Sequence, residues 1–120
     1  MNVKNKELVI VRGINSDWLN KNFTGFWIGF GGSAQATPKE DAYYVGLYIQ
    51  APISSIQYIG IVDKINRYDN GADFHLKSII KLKNPIKPNS PIRKHENWSL
   101  SRLRLNKSTM DTVRNNINLI

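Results

Sequence analysis

The stretch IQYIGIVDKINRYDNGADFHLKSIIKLK, residues 56–83, indicates the fold more clearly than any other part of the chain. Both of its halves are rich in β-branched and aromatic residues, and the dipeptide Asn70-Gly71 lies between them. Asn-Gly favours the tight turn of a β-hairpin, because both residues tolerate positive φ angles. The stretch therefore predicts two long antiparallel strands, over residues 56–68 and 74–83.

The second of these strands shows the alternation expected of a half-buried β-strand. One face would carry Phe74, Leu76, Ser78, Ile80 and Leu82. The other face would carry His75, Lys77, Ile79, Lys81 and Lys83. We expect the first face to lie in the core and the second to be solvated and positively charged.

Further strands are expected on the N-terminal side of this hairpin. Residues 8–11 form a short apolar run, and residues 43–50 are rich in β-formers and end shortly before Pro52. Residues 29–34 match the loose G-x-G-x-x-A form of a dinucleotide-binding loop. That motif needs a helix at its end, which Pro38 would cut short, so we predict a flexible loop there.

The C-terminal side of the hairpin is expected to leave the sheet. Pro85, Pro88 and Pro91 exclude a helix over residues 84–92, which therefore predicts a stiff crossing loop. A short helix is expected at residues 17–20. A second is expected in the tail, where a capping pair precedes a helical stripe: Ser108 and Asp111, then Met110, Val113 and Ile117.

Length and composition favour one small domain over residues 1–120. The fold class expected is α+β: a small, mostly antiparallel β-barrel of five to six strands with short flanking helices. The apolar fraction of 41% and the three Trp, five Tyr and four Phe exclude a disordered chain.

Several settings are excluded by what the sequence lacks. No apolar run approaches about 18 residues, and the N-terminus does not resemble a secretory signal. The chain has no cysteine, which excludes a disulfide scaffold and a Cys-ligated zinc site. We therefore expect a soluble cytoplasmic protein with no membrane partner.

The charge is concentrated in one half of the chain. The formal net charge is +8, of which residues 1–60 contribute +1 and residues 61–120 contribute +7. Between residues 77 and 107, nine basic side chains accompany a single acid, Glu96. A basic half without an amphipathic basic helix favours a nucleic acid as partner over a membrane. The alternative is that the lysines serve only solubility.

The candidate catalytic groups do not form a recognisable site. His75, Asn84 and His95 are possible metal ligands, but the prolines and the lack of an acidic cluster argue against a nuclease centre. The aspartates that bracket the hairpin are more typical of turns, and no nucleophile elbow is present. We expect no catalytic residue, no metal, no cofactor and no enzymatic activity.

Aromatic residues interleaved with basic ones are more informative. Six polar-tipped rings are available: Trp27, Tyr43, Tyr44, Tyr48, Tyr58 and Trp98. A nucleobase stacked on such a ring gains about 1–3 kcal/mol. The alternative is that most of these rings fill the core or lie half-buried at the surface.

The run YVGLYIQAPISSIQYIGIVDKI, residues 44–65, resembles a pattern of the PUA-like superfamily, near its EVE and ASCH branches. There a strand ending in a-x-Y-x-x-x-P is followed by a turn and by I-x-Y-x-x-x-V-x-x-I. Residues 84–86 resemble the x-P-I that follows the next strand, and residues 98–104 resemble a late aromatic and Arg-rich segment before a terminal helix. The resemblance covers about residues 42–118.

This resemblance implies a pseudobarrel flanked by helices, and binding rather than catalysis. Domains of this kind often bind RNA or hold a flipped, modified base in an aromatic pocket, and EVE-like modules commonly accompany restriction and defence systems. By position, the pocket candidates are Trp27, Tyr48 and Tyr58, and the candidates on the late loop are Trp98, Arg102 and Arg104.

The remaining candidates follow from the chemistry of a flipped-base reader. Gln50, Ser99 and backbone groups near residues 29–32 are candidates for hydrogen bonds to the base edge. The basic half, including Lys77, Lys81 and Lys83, would hold phosphates and make binding salt-dependent.

The sequence thus leads to three hypotheses. The first is a nucleic-acid-binding domain that recognises a modified or flipped base in an aromatic pocket with a basic rim, on either DNA or RNA. The second is a protein-interaction or regulatory module that docks an acidic partner. The third is a small nuclease.

Overall fold

The computed structural model describes residues 5–15, 17, 27–31, 37–92, 95–103, 105 and 111. These residues form six β-strands: β1 (Asn5–Ile14), β2 (Trp27–Gly31), β3 (Ala42–Ile49), β4 (Ser55–Tyr68), β5 (Gly71–Ile86) and β6 (His95–Ser99). A 3-10 helix, Leu100–Leu103, follows β6. Asp17 and Asp111 are helical, and the other residues of the two predicted helices lie outside the described residues.

The strands form one sheet in the order β2-β5-β4-β3-β1-β6. The predicted β4–β5 hairpin is confirmed, and Asn70 at its turn has a φ of 58°. All neighbouring strands are antiparallel except β1 and β3, which are parallel. The predicted strands at residues 8–11 and 43–50 correspond to β1 and β3.

The sheet curls into a half-barrel. Strands β2 and β6 stand at opposite ends of the strand order, yet the ring of Phe30 on β2 lies edge-on to His95 on β6, with 5.7 Å between ring centroids. The guanidinium carbon of Arg12 on β1 lies 5.5 Å from the centroid of the same Phe30 ring. We call the line along which Arg12, Phe30 and His95 meet the seam. The expected small β-barrel-like architecture is therefore present.

Each face of the curled sheet has its own apolar cluster. The concave cluster contains Leu8, Ile10 and Ile14 of β1, together with residues of β2, β3, β4 and β5. The convex cluster contains the alternate residues Val9 and Val11, and the 3-10 helix and Ile92 pack on it. The period-two pattern of β1 thus buries both of its faces.

The face assignment of β5 needs a correction. The side chains of Phe74, Leu76, Ile80 and Leu82 were expected on one face. Phe74 and Leu76 lie in the concave cluster, but Leu82 lies in the convex cluster and Ile80 packs against it. The strand register explains the change, because Val62 pairs with Leu76 and Ile61 with Ser78, which leaves Lys77 as an extra residue. Such a β-bulge moves every later side chain to the opposite face.

Two predicted loop boundaries are also wrong. Residues 29–31, expected in a flexible loop, are part of β2 and pair with β5, whereas residues 32–34 lie outside the described residues. Strand β5 continues to Ile86 and so includes the first three residues of the predicted crossing loop, 84–86. Pairing is sparse there, with the pair Ile56–Ile86 following Tyr58–Lys81, so a proline without an N–H is accommodated.

Candidate functional site

A pocket lies where the parallel strands β1 and β3 both end. The backbone N–H of Gln50 donates a hydrogen bond of 2.9 Å to the backbone carbonyl of Ile14, which places the two strand ends side by side. The pocket has a volume of about 250 Å³, and we call it the seam pocket. It is lined by Arg12, Gly13, Ile14, Asn15, Ile28, Gly29 and Gln50. Crevices at the carboxyl ends of parallel strands are frequent ligand sites in open sheets.

Arg12 is the charged residue of this pocket. It lies an even number of residues from Leu8, Ile10 and Ile14 along β1, so its side chain shares their concave face. Its Nη1 donates to the carbonyl of Gly13 at 2.9 Å, and its Nη2 lies 3.5 Å from the carbonyl of Gly29. The buried Nε has no hydrogen-bond partner among the described residues. Burial lowers the pKa of the Arg12 guanidinium below its usual value.

His95 completes the seam next to Arg12. The two residues are paired in the β1–β6 ladder, and the imidazole packs edge-on against Phe30. Burial, and secondly the charge of Arg12, lower the pKa of His95 below its ordinary value of 6.5. The imidazole is therefore mostly neutral at neutral pH, which leaves Arg12 as the cation of the seam.

Gly13 lets the chain close over the end of β1. A Cβ atom at this position would collide with the carbonyl oxygen of Ile92 and would lie 3.3 Å from Nε2 of Gln50. The backbone of Ile92 therefore lies directly against Gly13, and the Gln50 side chain lies against the same glycine. This packing holds the Gln50 amide at the pocket.

A row of basic side chains lies along the C-terminal part of β5 and just beyond it, near the same end of the sheet. Lys81 and Lys83 are exposed two residues apart on β5, Lys87 is exposed one residue after its end, and we call the three the lysine row. Lys81 pairs with Tyr58 on β4, whose half-buried ring packs against the concave cluster. Because cross-strand partners project to the same side, Lys81 lies on the concave side beside Tyr58. Lys77 is half-buried at the bulge.

The topology brings the lysine row and the seam pocket to one end of the half-barrel. Ile86 at the end of β5 pairs with Ile56, and the neighbouring Ser55 pairs with Ile49, which precedes Gln50. Among the described residues, β2 pairs with β5 only between residues 71 and 75, so it does not pair with the part of β5 that carries Lys81 and Lys83.

The predicted aromatic pocket is not assembled from the rings proposed for it. Tyr48 and Trp98 are 2% and 4% exposed and belong to the convex cluster, whereas Tyr58 packs on the concave side. The backbone of Trp27 belongs to β2, and its side chain lies outside the described residues. Tyr48 and Tyr58 therefore face opposite sides of the sheet and do not wall one cavity.

The late segment forms a small stack of its own. The Trp98 Nε1 donates to Glu96 Oε1 at 3.1 Å, and the Arg102 guanidinium carbon lies 3.8 Å from the centroid of the Trp98 ring. The exposed Ser99 Oγ shares a hydrogen bond of 3.2 Å with Ser101 Oγ. Arg104 lies outside the described residues. Arg102 thus covers the indole that was proposed to stack on a base.

Two of the predicted base-edge groups do come together. Gln50 and Gly29 both line the seam pocket, whereas Ser99 does not. The sequence interpretation missed Arg12 and Asn15 as pocket residues. The signal for Arg12 was the alternation of Leu8, Ile10 and Ile14, which places an arginine on a core-facing position.

Among the described residues, no group of three or more His, Asp or Glu is placed to hold a metal ion. The described helical segments include none with the length and apolarity needed to cross a bilayer.

No family model, no curated protein and no solved structure matches this chain.

Proposed function

We propose that this chain is a nucleic-acid-binding domain that holds the phosphate backbone along the lysine row. One observation carries the proposal: Lys81 and Lys83 are exposed two residues apart on β5, Lys87 is exposed just beyond its end, and none of the three makes an ion pair with the described residues. Unpaired surface cations in a row attract a polyanion and release its counterions on binding.

The spacing of the row is compatible with a nucleic-acid backbone. Alternate residues of a β-strand are about 6.8 Å apart, which equals the axial rise of about two nucleotides of one strand in a duplex. A nucleic-acid backbone bound along the lysine row would pass Tyr58, which lies on the same side of the sheet as Lys81. A base that leaves its stack would find a partly exposed ring directly beside the phosphate contacts.

The finer assignment is a PUA-like domain that receives a flipped or modified base, on DNA or RNA. It is supported by the resemblance of residues 44–65 and by the curled six-stranded sheet. Tyr58 is the ring that supports it best, because the Tyr48 and Trp98 rings are buried on the other face.

Affinity for a mixed-sequence single-stranded oligonucleotide, measured by fluorescence anisotropy over a range of salt concentrations, tests this proposal. The double variant Lys81→Gln/Lys83→Gln should bind more weakly, and its log–log salt slope should fall by about 2, or about 1 for each lysine. The matched control is Lys39→Gln/Lys64→Gln, which removes the same charge from exposed positions outside the row. The control should retain most of the affinity and slope.

Three outcomes would overturn the proposal. Equal losses in the two double variants would mean that only net charge attracts the oligonucleotide. Absence of binding at low salt would exclude nucleic acid as the partner. Binding of poly-glutamate as tight as binding of the oligonucleotide would mean that the lysine row attracts any polyanion, and it would favour the interaction module that docks an acidic partner.

Tyr58→Leu tests the stacking contact separately. This change should weaken binding of a single strand by about 1–3 kcal/mol, because unpaired bases lose their stacking partner. Binding of a fully paired duplex should change little, since its bases remain stacked. Equal losses for both ligands would contradict a role of Tyr58 in base stacking.

A further inference from the structure

We propose that the seam pocket is an oxyanion site in which Arg12 binds a phosphate or carboxylate group. Binding of the oxyanion by Arg12 does not require the lysine row, so this site can be tested separately from nucleic-acid binding. Three features of the seam support the proposal: a cation with no counter-ion among the described residues, a buried N–H donor with no acceptor among them, and a cavity lined by the same arginine.

The first feature is the missing counter-ion. Arg12 is half-buried, and no described carboxylate forms an ion pair with it. Charged groups removed from water are usually paired, because desolvation disfavours an isolated charge. His95, its partner in the ladder, supplies no negative charge. The guanidinium thus lies in surroundings that an anion would complete.

The second feature is the donor count of Arg12. A guanidinium has five N–H donors. The carbonyls of Gly13 and Gly29 accept from Nη1 and Nη2, the second at a long 3.5 Å, and the buried Nε has no acceptor among the described residues. Buried donors in folded proteins are nearly always paired. Phosphate and carboxylate oxygens are the acceptors that match a guanidinium best.

The third feature is the shape and lining of the pocket. Its volume of about 250 Å³ lies just below the range of about 300–1,000 Å³ typical of drug-sized ligands, so it suits one small group. Gln50 also lines the pocket, and its side-chain amide carries N–H donors. Ile14 and Ile28 form apolar walls, which strengthen a charge–charge contact by excluding water.

The oxyanion could come from two sources with the same chemistry. It could belong to a free small phosphate or carboxylate compound. It could also be the terminal phosphate of a strand, because the seam pocket and the lysine row lie at the same end of the half-barrel. The experiment below therefore uses inorganic phosphate, acetate and oligonucleotide ends as separate probes.

The decisive variant is Gln50→Glu, which introduces a carboxylate into the pocket without changing side-chain size. The new carboxylate should pair with Arg12 and exclude the ligand, so inorganic phosphate should bind at least about tenfold more weakly than to wild type. Isothermal titration at constant ionic strength measures this. The matched control is Gln57→Glu, the same change at a residue that does not line the pocket and whose amide donates to Ser55.

Folding and specificity are checked with the same proteins. Gln50→Glu should unfold at the same or a higher temperature than wild type, so loss of phosphate binding cannot be attributed to misfolding. Lys81→Gln/Lys83→Gln should retain phosphate binding, which separates this site from the nucleic-acid proposal. Retention of phosphate binding by Gln50→Glu, or absence of binding of both phosphate and acetate to wild type, would overturn the oxyanion site.

A further pair of titrations identifies the source of the oxyanion. A 5′-phosphorylated oligonucleotide that binds wild type more tightly than its 5′-hydroxyl counterpart, with the preference lost in Gln50→Glu, would assign the site to a strand end. Equal binding of both oligonucleotides, together with phosphate or acetate binding to wild type, would assign it to a free small ligand.

Discussion

Arg67 and Arg12 both donate hydrogen bonds to backbone carbonyls of a neighbouring segment, but only Arg67 forms an ion pair with a described carboxylate. Arg67 on β4 forms an ion pair of 2.6 Å with Asp41, and it also donates to the carbonyls of Pro38 and Glu40. It thereby ties residues 37–41 to the sheet. Arg12 ties β1 to β2 through the carbonyl of Gly29, yet no described acid accompanies it.

The difference separates a structural arginine from a candidate binding residue. The donors of Arg67 are directed to oxygens of the protein itself, so its surroundings need nothing further. Arg12 lines a cavity, and its buried Nε has no partner among the described residues, which costs desolvation free energy that those residues do not offset. Local arrangements that cost stability are found preferentially at functional sites.

Replacement of the glycines near the two arginines should give the largest effect. Gly13→Ala should reduce the free energy of unfolding by about 1–3 kcal/mol, because the new Cβ meets the backbone carbonyl of Ile92. Gly71→Ala should cost less, because its Cβ would mainly meet the ring of Tyr68, a side chain that is 56% exposed and can shift by giving up its hydrogen bond of 3.2 Å to Asp73. Urea denaturation of both variants measures the difference, and a larger loss at Gly71 would contradict the close packing at the seam.

A smaller effect is expected from removing each arginine in turn. Arg67→Met should destabilise the fold by up to about 1 kcal/mol, a modest value because the ion pair is partly exposed. Arg12→Met should leave stability within about 0.5 kcal/mol of wild type or raise it, because an uncompensated charge is replaced by an apolar chain of similar length. Chemical denaturation provides both values. If Arg12→Met were the more harmful change, the seam arginine would be structural and the contrast would fail.

The smallest effect concerns pH. The folded-state pKa of His95 lies below its unfolded value of about 6.5, so the unfolded chain binds a proton first as the pH falls. The free energy of unfolding should therefore be fully retained above about pH 6.5 and decrease below it, until the folded-state pKa is reached. His95→Gln should remove this decrease, and Arg12→Gln should reduce it, because Arg12 is the second cause of the shift.

Denaturation curves between about pH 8 and about pH 5 follow this dependence. His75→Gln is the control, since His75 lies on β5 and contacts Asn66 rather than the seam. An unchanged pH profile in His95→Gln would show that His95 is not the group responsible.

Much of the sheet could be predicted from neighbouring residues. The Asn70-Gly71 turn and the flanking β-formers identified the β4–β5 hairpin, and the apolar runs identified β1 and β3. The face change in β5 could not be predicted, because the bulge at Lys77 exists only in the register with β4. Likewise, residues 29–31 become a strand because β5 offers them a pairing edge.

The site was predicted less completely than the sheet. Gln50 and Gly29 were identified as candidate contact groups and do share a pocket, whereas Trp98 and Tyr48 are buried. Composition cannot distinguish a buried ring from an accessible one. Trp98 is covered because Arg102 of the 3-10 helix stacks on it, and that contact depends on how the helix packs on the convex face.

Turns and β-propensity depend on residues that are adjacent along the chain, so the hairpin and the β-rich class can be read without coordinates. The seam pocket is different, because Arg12, Gly29 and Gln50 come from three separate segments. Only the curl of the sheet brings β2 against β1, and only the parallel pairing of β1 with β3 places Gln50 beside Ile14. The alternation of side chains along a strand indicates which side a residue occupies, but the tertiary structure decides what lies across from it.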